Sequence, residues 1–313
     1  MLFGPTGVGK TDILFNLAKE LQKSLVISME VISADSMQVY RGMNIGTAKP
    51  TPSERSELPH WLVDVIDPNE QFDLGDFVSQ AEQIVESLRQ KRVIPVISGG
   101  TAYYFKHFLY GLPSTPSVTK DIRIMVEDMQ KAFGNETLKE MLFKIDESAA
   151  RRIHVNDTYR LSRALEVYYA TGKPLSDFAL KSTLREDYPV LLTGLKRPRN
   201  ELYQRINARV DAMFENGLVN EVEGLFDCGY RETDPGMRGI GYREFFELGW
   251  FDSSQKDDAL LQDIKTKIKT DSRRYAKRQM TFFSSMDNVK WRNAEDEKEI
   301  VNELISFIGQ SLA

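Results

Sequence analysis

The octapeptide Gly4-Pro5-Thr6-Gly7-Val8-Gly9-Lys10-Thr11 constrains this chain more than any other feature. It fits the pattern G-x-x-x-x-G-K-[ST], follows apolar Leu2 and Phe3, and precedes Asp12–Lys23, where Ile13, Leu14, Leu17 and Leu21 fall at helical spacing. In a strand–loop–helix context the glycines let successive backbone N–H groups converge on phosphate oxygens, and the helix N-terminus adds partial positive charge. Lys10 supplies a point charge, and the Thr11 hydroxyl is a Mg²⁺ ligand candidate. A diphosphate or triphosphate ligand is implied, without its identity. Only three residues precede Gly4, where a buried strand ordinarily takes about five or six. Either the true start lies upstream or the first strand is clipped.

The pattern that follows is α/β. Leu25–Ile32 reads as a second strand ending in Ser33-Ala34-Asp35-Ser36, and Asp76–Arg92 as an amphipathic helix with Phe77, Ala81, Ile84, Val85 and Leu88 on one face. The short strand Val93–Ile97 then runs into Ser98-Gly99-Gly100-Thr101. Such alternation predicts a parallel sheet covered by helices on both faces, with the ligand crevice beyond the carboxyl ends of the strands. The glycine loop, Asp35 and Thr101 should therefore share one rim. After Gly111–Pro116 the chain turns to helices alone, at Asp121–Phe133, Thr137–Ile145 and Asp157–Thr171. Val190–Leu195 reads as a returning strand, followed by helices at Glu201–Asn216, Tyr242–Leu248 and Asp257–Phe283. The expected architecture is a phosphate-loop NTPase-like core, residues 1–113 and 190–313, carrying an all-helical insertion at 114–189.

Composition removes several classes. With one cysteine, Cys228, and with His60, His107 and His154 far apart, neither a disulfide framework nor a zinc site is supported, and a cytoplasmic location is expected. No apolar run approaches the ~20 residues that span a bilayer, so no membrane partner is expected. The net charge of −5 conceals two basic stretches. Arg151–Arg209 holds 12 bases against 6 acids, and Ile264–Met280 holds Lys265, Lys267, Lys269, Arg273, Arg274, Lys277 and Arg278 against Asp271 alone. Each is compatible with a nucleic-acid surface or with solvated helix faces. Arg160 and Arg163 lie about one sixth of a turn apart, opposite Leu161, Leu165 and Tyr168, so their face should point outward.

Two residues resist assignment by pattern alone. Val93–Ile97 does not end in the Asp that holds Mg²⁺ in most phosphate-loop phosphotransferases, which weakens an ATPase reading. That leaves Asp35 as the rim carboxylate, compatible with a metal ligand, a general base or a surface residue. Arg209 is compatible with an exposed i, i+4 pair with Arg205. Tyr103, Tyr104 and Phe105 offer rings for base stacking, but their place just inside a helix favours the core.

GPTGVGKT, ISADSMQVYRGMNIGTAKP (Ile32–Pro50), HWLVDVIDP (His60–Pro68), ISGGTAYYFKHFLYGL (Ile97–Leu112), NDTYRLSRALEVY (Asn156–Tyr168), RGIGYRE (Arg238–Glu244) and RRYAKRQMTFF (Arg273–Phe283) resemble, in order and nearly end to end, the motifs of the tRNA dimethylallyltransferase family. The resemblance implies transfer of a dimethylallyl group from dimethylallyl diphosphate to the exocyclic amine of the adenosine 3′ of the anticodon. It gives the diphosphate to Gly4, Pro5, Thr6, Gly7, Val8, Gly9, Lys10 and Thr11, with Mg²⁺ on Thr11. It makes Asp35 the general base, Thr101 a hydrogen-bond partner of the target nucleotide, and Arg209 a channel residue near the phosphates. The tRNA anticodon stem-loop falls to Asp35, Ser36, Met37, Gln38, Thr101, Arg123, Tyr159, Arg160, Leu161, Ser162, Arg163, Arg238, Arg243, Arg273 and Arg278. A cleft between core and insertion is expected to grip the stem. The family's eukaryotic members append a zinc finger, and this chain looks like the shorter bacterial form, expected as a monomer. The competing readings are a prenyltransferase acting on free AMP or ADP, a small-molecule kinase, and a non-catalytic RNA-binding switch.

Overall fold

In the computed structural model the described residues are 1–112, 118–178, 184–185, 187–253 and 257–312. The expected Gly111–Pro116 boundary therefore falls partly, and Lys181 wholly, outside them. The chain divides into two compact units, Met1–Phe108 with Glu186–Ala313, and Leu109–Arg185.

The first unit contains β1 (Leu2–Phe3), α1 (Lys10–Ser24), β2 (Met29–Ala34), α2 (Pro52–Glu57), β3 (His60–Trp61), α3 (Leu74–Gln90) and β4 (Ile94–Gly99). α4 (Ala102–Tyr110) runs out of it. All six strands of the sheet are parallel, in the order β3-β2-β4-β1 followed by β5 (Thr193–Lys196) and β6 (Lys290–Asn293). A two-residue strand suffices at the centre because its side chains go to opposite layers. Leu2 joins Ile13, Leu17 and Leu21 of α1 and Ile300 and Leu304 of the last helix, while Phe3 stacks on Phe283 at 4.7 Å and meets Phe105 at 5.0 Å. Burying those faces removes apolar area worth about 25 cal/mol per Å² from water, which ties helices from both chain ends to the sheet.

β2 starts later than Leu25, and the reason is local. Val26 adopts a left-handed φ of 57° and is 79% exposed, so the extended run begins at Met29 and continues through Ser33 and Ala34. α3 is fixed at its start by a reciprocal capping box between Asp73 and Asp76. Two aromatics after β4 belong to the core as expected: Tyr104 stacks on Phe77 at 4.1 Å and Phe105 is fully buried, whereas Tyr103 is 52% exposed.

The second unit is helical. α5 (Lys120–Ile145) is broken at Gly134, whose φ of 73° and ψ of 173° give the two helices expected there; α6 (Glu147–Arg152) and α7 (Thr158–Thr171) complete the unit. α7 stops on left-handed Gly172, as expected. The core comprises Val126, Leu138, Leu142, Ala149, Ala150, Leu161, Ala164 and Leu165. Buried Asp146 holds it together, accepting from Ala149 N–H and Ser176 N–H at 2.9 Å each.

The rest of the first unit is α8 (Arg199–Glu215), α9 (Leu218–Asp227), α10 (Arg243–Glu247), α11 (Asp258–Phe283) and α12 (Glu297–Leu312). α2, β3, α6, α9, β6 and α12 had no counterpart among the expected elements.

Candidate active site

The β2–β4 register builds the rim. Six paired positions run from Met29↔Ile94 to Ala34↔Gly99, so Asp35 and, one residue past Gly100, Thr101 leave the sheet at the same end. A Cβ at Gly99 would collide with the Ala34 carbonyl, so glycine is what permits so close an approach. The Thr101 N–H donates to Ala34 O at 3.0 Å, and Thr101 Oγ1 accepts the Ser36 N–H at 3.0 Å. Asp35 Oδ1 accepts the Met37 N–H at 2.9 Å, a local turn that fixes this carboxylate where the strand ends.

The glycine loop joins the same cavity, about 870 Å³, lined by Thr6, Lys10, Asp35, Gln38, Arg209 and Tyr275 among others. Lys10 Nζ donates to Gly4 O at 2.9 Å and Pro5 O at 3.1 Å, which occupies two of its three protons. Burial, then neighbouring Arg209, pull its pKa down to about 8, with Asp35 acting in the opposite sense. Arg209 is likewise lowered by burial and supported by Asp35, and its Nη2 donates to Thr47 O at 3.3 Å. It faces the cavity and is therefore not an exposed partner of Arg205.

Several residues that sequence reasoning missed hold the site in shape. Arg205 Nε donates to Gly7 O at 2.9 Å and Arg197 Nε to Val8 O at 2.8 Å, so two guanidiniums brace the loop. Glu221 accepts the N–H groups of Asn44, Ile45 and Gly46 together with the Tyr242 hydroxyl. The buried ammonium of Lys49 reaches Tyr40 O and Asp64 Oδ1 at 2.6 Å each, joining two motifs that the sequence holds apart. Gln279 bridges the glycine loop and Gly100. Lys49 and Gln279 carried the sequence signal of a motif block, whereas Arg197, Arg205 and Glu221 lie outside every block and find their partners far away along the chain.

The expected RNA-contacting residues fall into two groups. Ser36, Met37, Gln38, Arg238, Arg243 and Arg278 line the cavity with Asp35, while Arg123, Tyr159 and Arg160 are exposed on the helical unit. Three expectations need correction. Leu161 is fully buried in the helical core, so its side chain is no contact; this is the inward side of α7. Arg163 is half-buried and paired with Glu166 at 3.4 Å, whereas Arg160, paired with Asp157 at 3.3 Å, keeps a largely exposed side chain. The Ile264–Met280 strip is largely tied up in contacts within the unit. Lys265 and Lys269 grip Asp211 at 2.6 and 2.7 Å, Lys267 grips Glu247 at 2.9 Å, and Arg273 donates to Asn207 at 2.6 Å. Arg243 is tied to Asp271 at 3.1 Å. These contacts pack α11 against α8 and α10, and leave Lys277 and Arg278 exposed at its far end.

Thr11 opens α1, is exposed and lines the cavity, a suitable place for a hydroxyl ligand of Mg²⁺. Among the described residues no group of three His, Cys, Asp or Glu side chains gathers as a metal cage. That donor set fits an ion that keeps waters and is carried mainly by phosphate oxygens.

Residues 38–286 match the IPP transferase family. The tRNA dimethylallyltransferase of Borrelia turicatae is 44% identical over 97% of both chains, and that of Borreliella burgdorferi 41% identical over 99% of this chain and 97% of its own. Among solved structures, the tRNA isopentenylpyrophosphate transferase of Bacillus halodurans superposes with a TM-score of 0.69 at 36% identity, covering 99% of this chain and 95% of that one. A eukaryotic dimethylallyltransferase acting on tRNA gives a TM-score of 0.78 at 29% identity, covering 94% and 73%. With more than half its length matched to the family and relatives above 40% identity over nearly all of it, the chain belongs to the IPP transferase family.

Proposed function

We propose that this protein transfers the dimethylallyl group from dimethylallyl diphosphate to the exocyclic amine of the adenosine immediately 3′ of the anticodon in tRNA, releasing diphosphate. The observation that carries the reading is the placement of Asp35 in the cavity that also holds the glycine loop, Lys10 and Arg209, with Thr101 tied to the adjacent Ser36 N–H. The names and substrates of its relatives point the same way.

The chemistry has two halves. An aromatic amine is a weak nucleophile, so Asp35 takes its proton as the new N–C bond forms, an assistance worth ~10²–10⁴ in rate. The allylic C–O bond breaks, and its electron pair leaves with the diphosphate. Lys10, the loop N–H groups and Arg209 face that developing charge. The third proton of Lys10 points to phosphate while the other two stay on Gly4 and Pro5. Thr101, already fixed by Ser36, orients the base. Mg²⁺ held by Thr11 and the diphosphate would neutralise part of the leaving group's charge. The adenine reaches this cavity unstacked, which is easier from a single-stranded loop than from a duplex.

The test is the mass of an anticodon stem-loop after incubation with donor, Mg²⁺ and enzyme. The expected product gains one five-carbon unit. An unchanged stem-loop, with free AMP prenylated or ATP consumed instead, would overturn the reading.

A further inference from the structure

Gln279 lies on α11 and is 5% exposed. Its Oε1 accepts the Thr6 N–H at 2.9 Å, and its Nε2 donates to Gly100 O at 2.8 Å. One donor and one acceptor partner fix the amide's orientation. The side chain therefore spans the seam between β1 and β4, whose last residues pair as Phe3↔Gly99. A Cβ at Gly100 would collide with Nε2, so the glycine before Thr101 makes room for this amide. One turn earlier on α11, Tyr275 lies beside Thr101 and Gln279, and burial, then Asp35, pushes its phenol up to about 12.

From this geometry we infer that Gln279 is a positioning residue that sets the spacing between the diphosphate loop and the Thr101–Asp35 rim, and so acts on the transfer step more than on either substrate's binding. The inference rests on the reading of those two parts as donor and acceptor sites. A carboxamide is what the location requires. Glutamate would set an acceptor against the Gly100 carbonyl, lysine would offer nothing to the Thr6 N–H, and leucine would release both. Reacting atoms displaced by about 1 Å lose ~10²-fold in rate, so a loosened seam shows first in the chemical step.

The experiment compares wild type with Gln279→Leu, Gln279→Glu and Gly100→Ala. It measures melting temperature, affinity for inorganic diphosphate, affinity for the stem-loop, and single-turnover rate with both substrates saturating. Wild type must first prenylate the stem-loop; if it does not, the functional reading has failed and not this one. Both Gln279 variants are expected to keep each affinity within about threefold and to lose about 30- to 100-fold in rate. Gly100→Ala should reproduce that loss, and adding it to Gln279→Leu should cost little more, because the shorter side chain no longer meets the new methyl. A single-turnover rate within about threefold of wild type overturns the proposal. So does a rate loss that merely follows a parallel fall in melting temperature and both affinities, which is the mark of a general structural role.

Discussion

The hydroxyl of Tyr242 donates to Glu221 at 2.7 Å, and the same carboxylate gathers three consecutive backbone N–H groups at residues 44–46. The loop it holds presents Thr47 O to Arg209, and Thr47 O and Ala48 O to Gln38. Glu221→Ala should therefore destabilise the protein by roughly 1.5–3 kcal/mol, the scale of hydrogen bonds to a charged acceptor. Urea denaturation monitors this. Gly46→Ala should lower the denaturation midpoint as well, because its methyl would enter the Tyr242 ring, at a cost of about 1–3 kcal/mol. Unchanged midpoints in both variants would remove the clamp from the account.

Asp35→Asn should leave binding of donor and stem-loop nearly intact and slow transfer by at least ~10²-fold. Asparagine keeps the Oδ1 that accepts the Met37 N–H, so the turn survives while the proton acceptor is lost. Single-turnover rates within a few-fold of wild type would show that another group is the base.

Lys10 gives the donor site a pH dependence. Its unliganded pKa of about 8 must rise when a diphosphate anion arrives, so binding takes up a proton above that pH. Affinity should be fully developed below about pH 8 and fall as pH climbs from there toward the raised value of the complex. Calorimetry of diphosphate binding at pH 8.5 in buffers of different ionisation enthalpy should detect that uptake in wild type, and Lys10→Ala should show both weaker binding and less uptake. Stem-loop affinity should hardly change. Equal uptake in both proteins would mean that the titrating group lies elsewhere.

The salt dependence of RNA binding separates the two basic stretches. Each phosphate contact contributes about 0.7–0.9 to the log–log slope. Arg160→Ala should flatten the slope by about one such unit, and Arg163→Ala by little, because Arg163 is half-buried against Glu166 while Arg160, though paired with Asp157, stays exposed to solvent. On α11, Lys277→Ala should behave like Arg160→Ala, whereas Lys265→Ala should leave the slope alone and loosen packing on Asp211. Fluorescence anisotropy of a labelled stem-loop across salt reads all four. A slope unmoved by Arg160→Ala would return that side chain to the solvated charges.

The four inner strands of the sheet, the glycine loop and the Asp35–Thr101 rim were legible in the sequence because each rests on local periodicity or on a strand end, whereas the short edge strands β3 and β6 were not. The charge on α11 stayed open between a nucleic-acid surface and solvated helix faces because a count of lysines does not reveal that Asp211 and Glu247, on other helices, lie opposite them. Arg163 and Leu161 show the same limit on α7: helical angles place a residue on a face, but neighbouring elements decide how far that face is covered. Gln279 and Glu221 were invisible for a related reason. A buried polar side chain whose partners are backbone groups in a distant segment leaves no trace in composition or spacing.

Leu2 pairs with Ser98 on one side and Thr193 on the other, so the strand nearest the start of the chain is enclosed by segments made much later. The Leu109–Arg185 unit, by contrast, draws its whole core from residues near one another in sequence. Local contacts form fast and distant pairings slowly, so on the ribosome the helical unit is expected to be complete while Met1–Phe3 still waits for β5. The phosphate loop, first to be translated, is then among the last parts to acquire its shape, and a nascent chain halted before Thr193 has no diphosphate site.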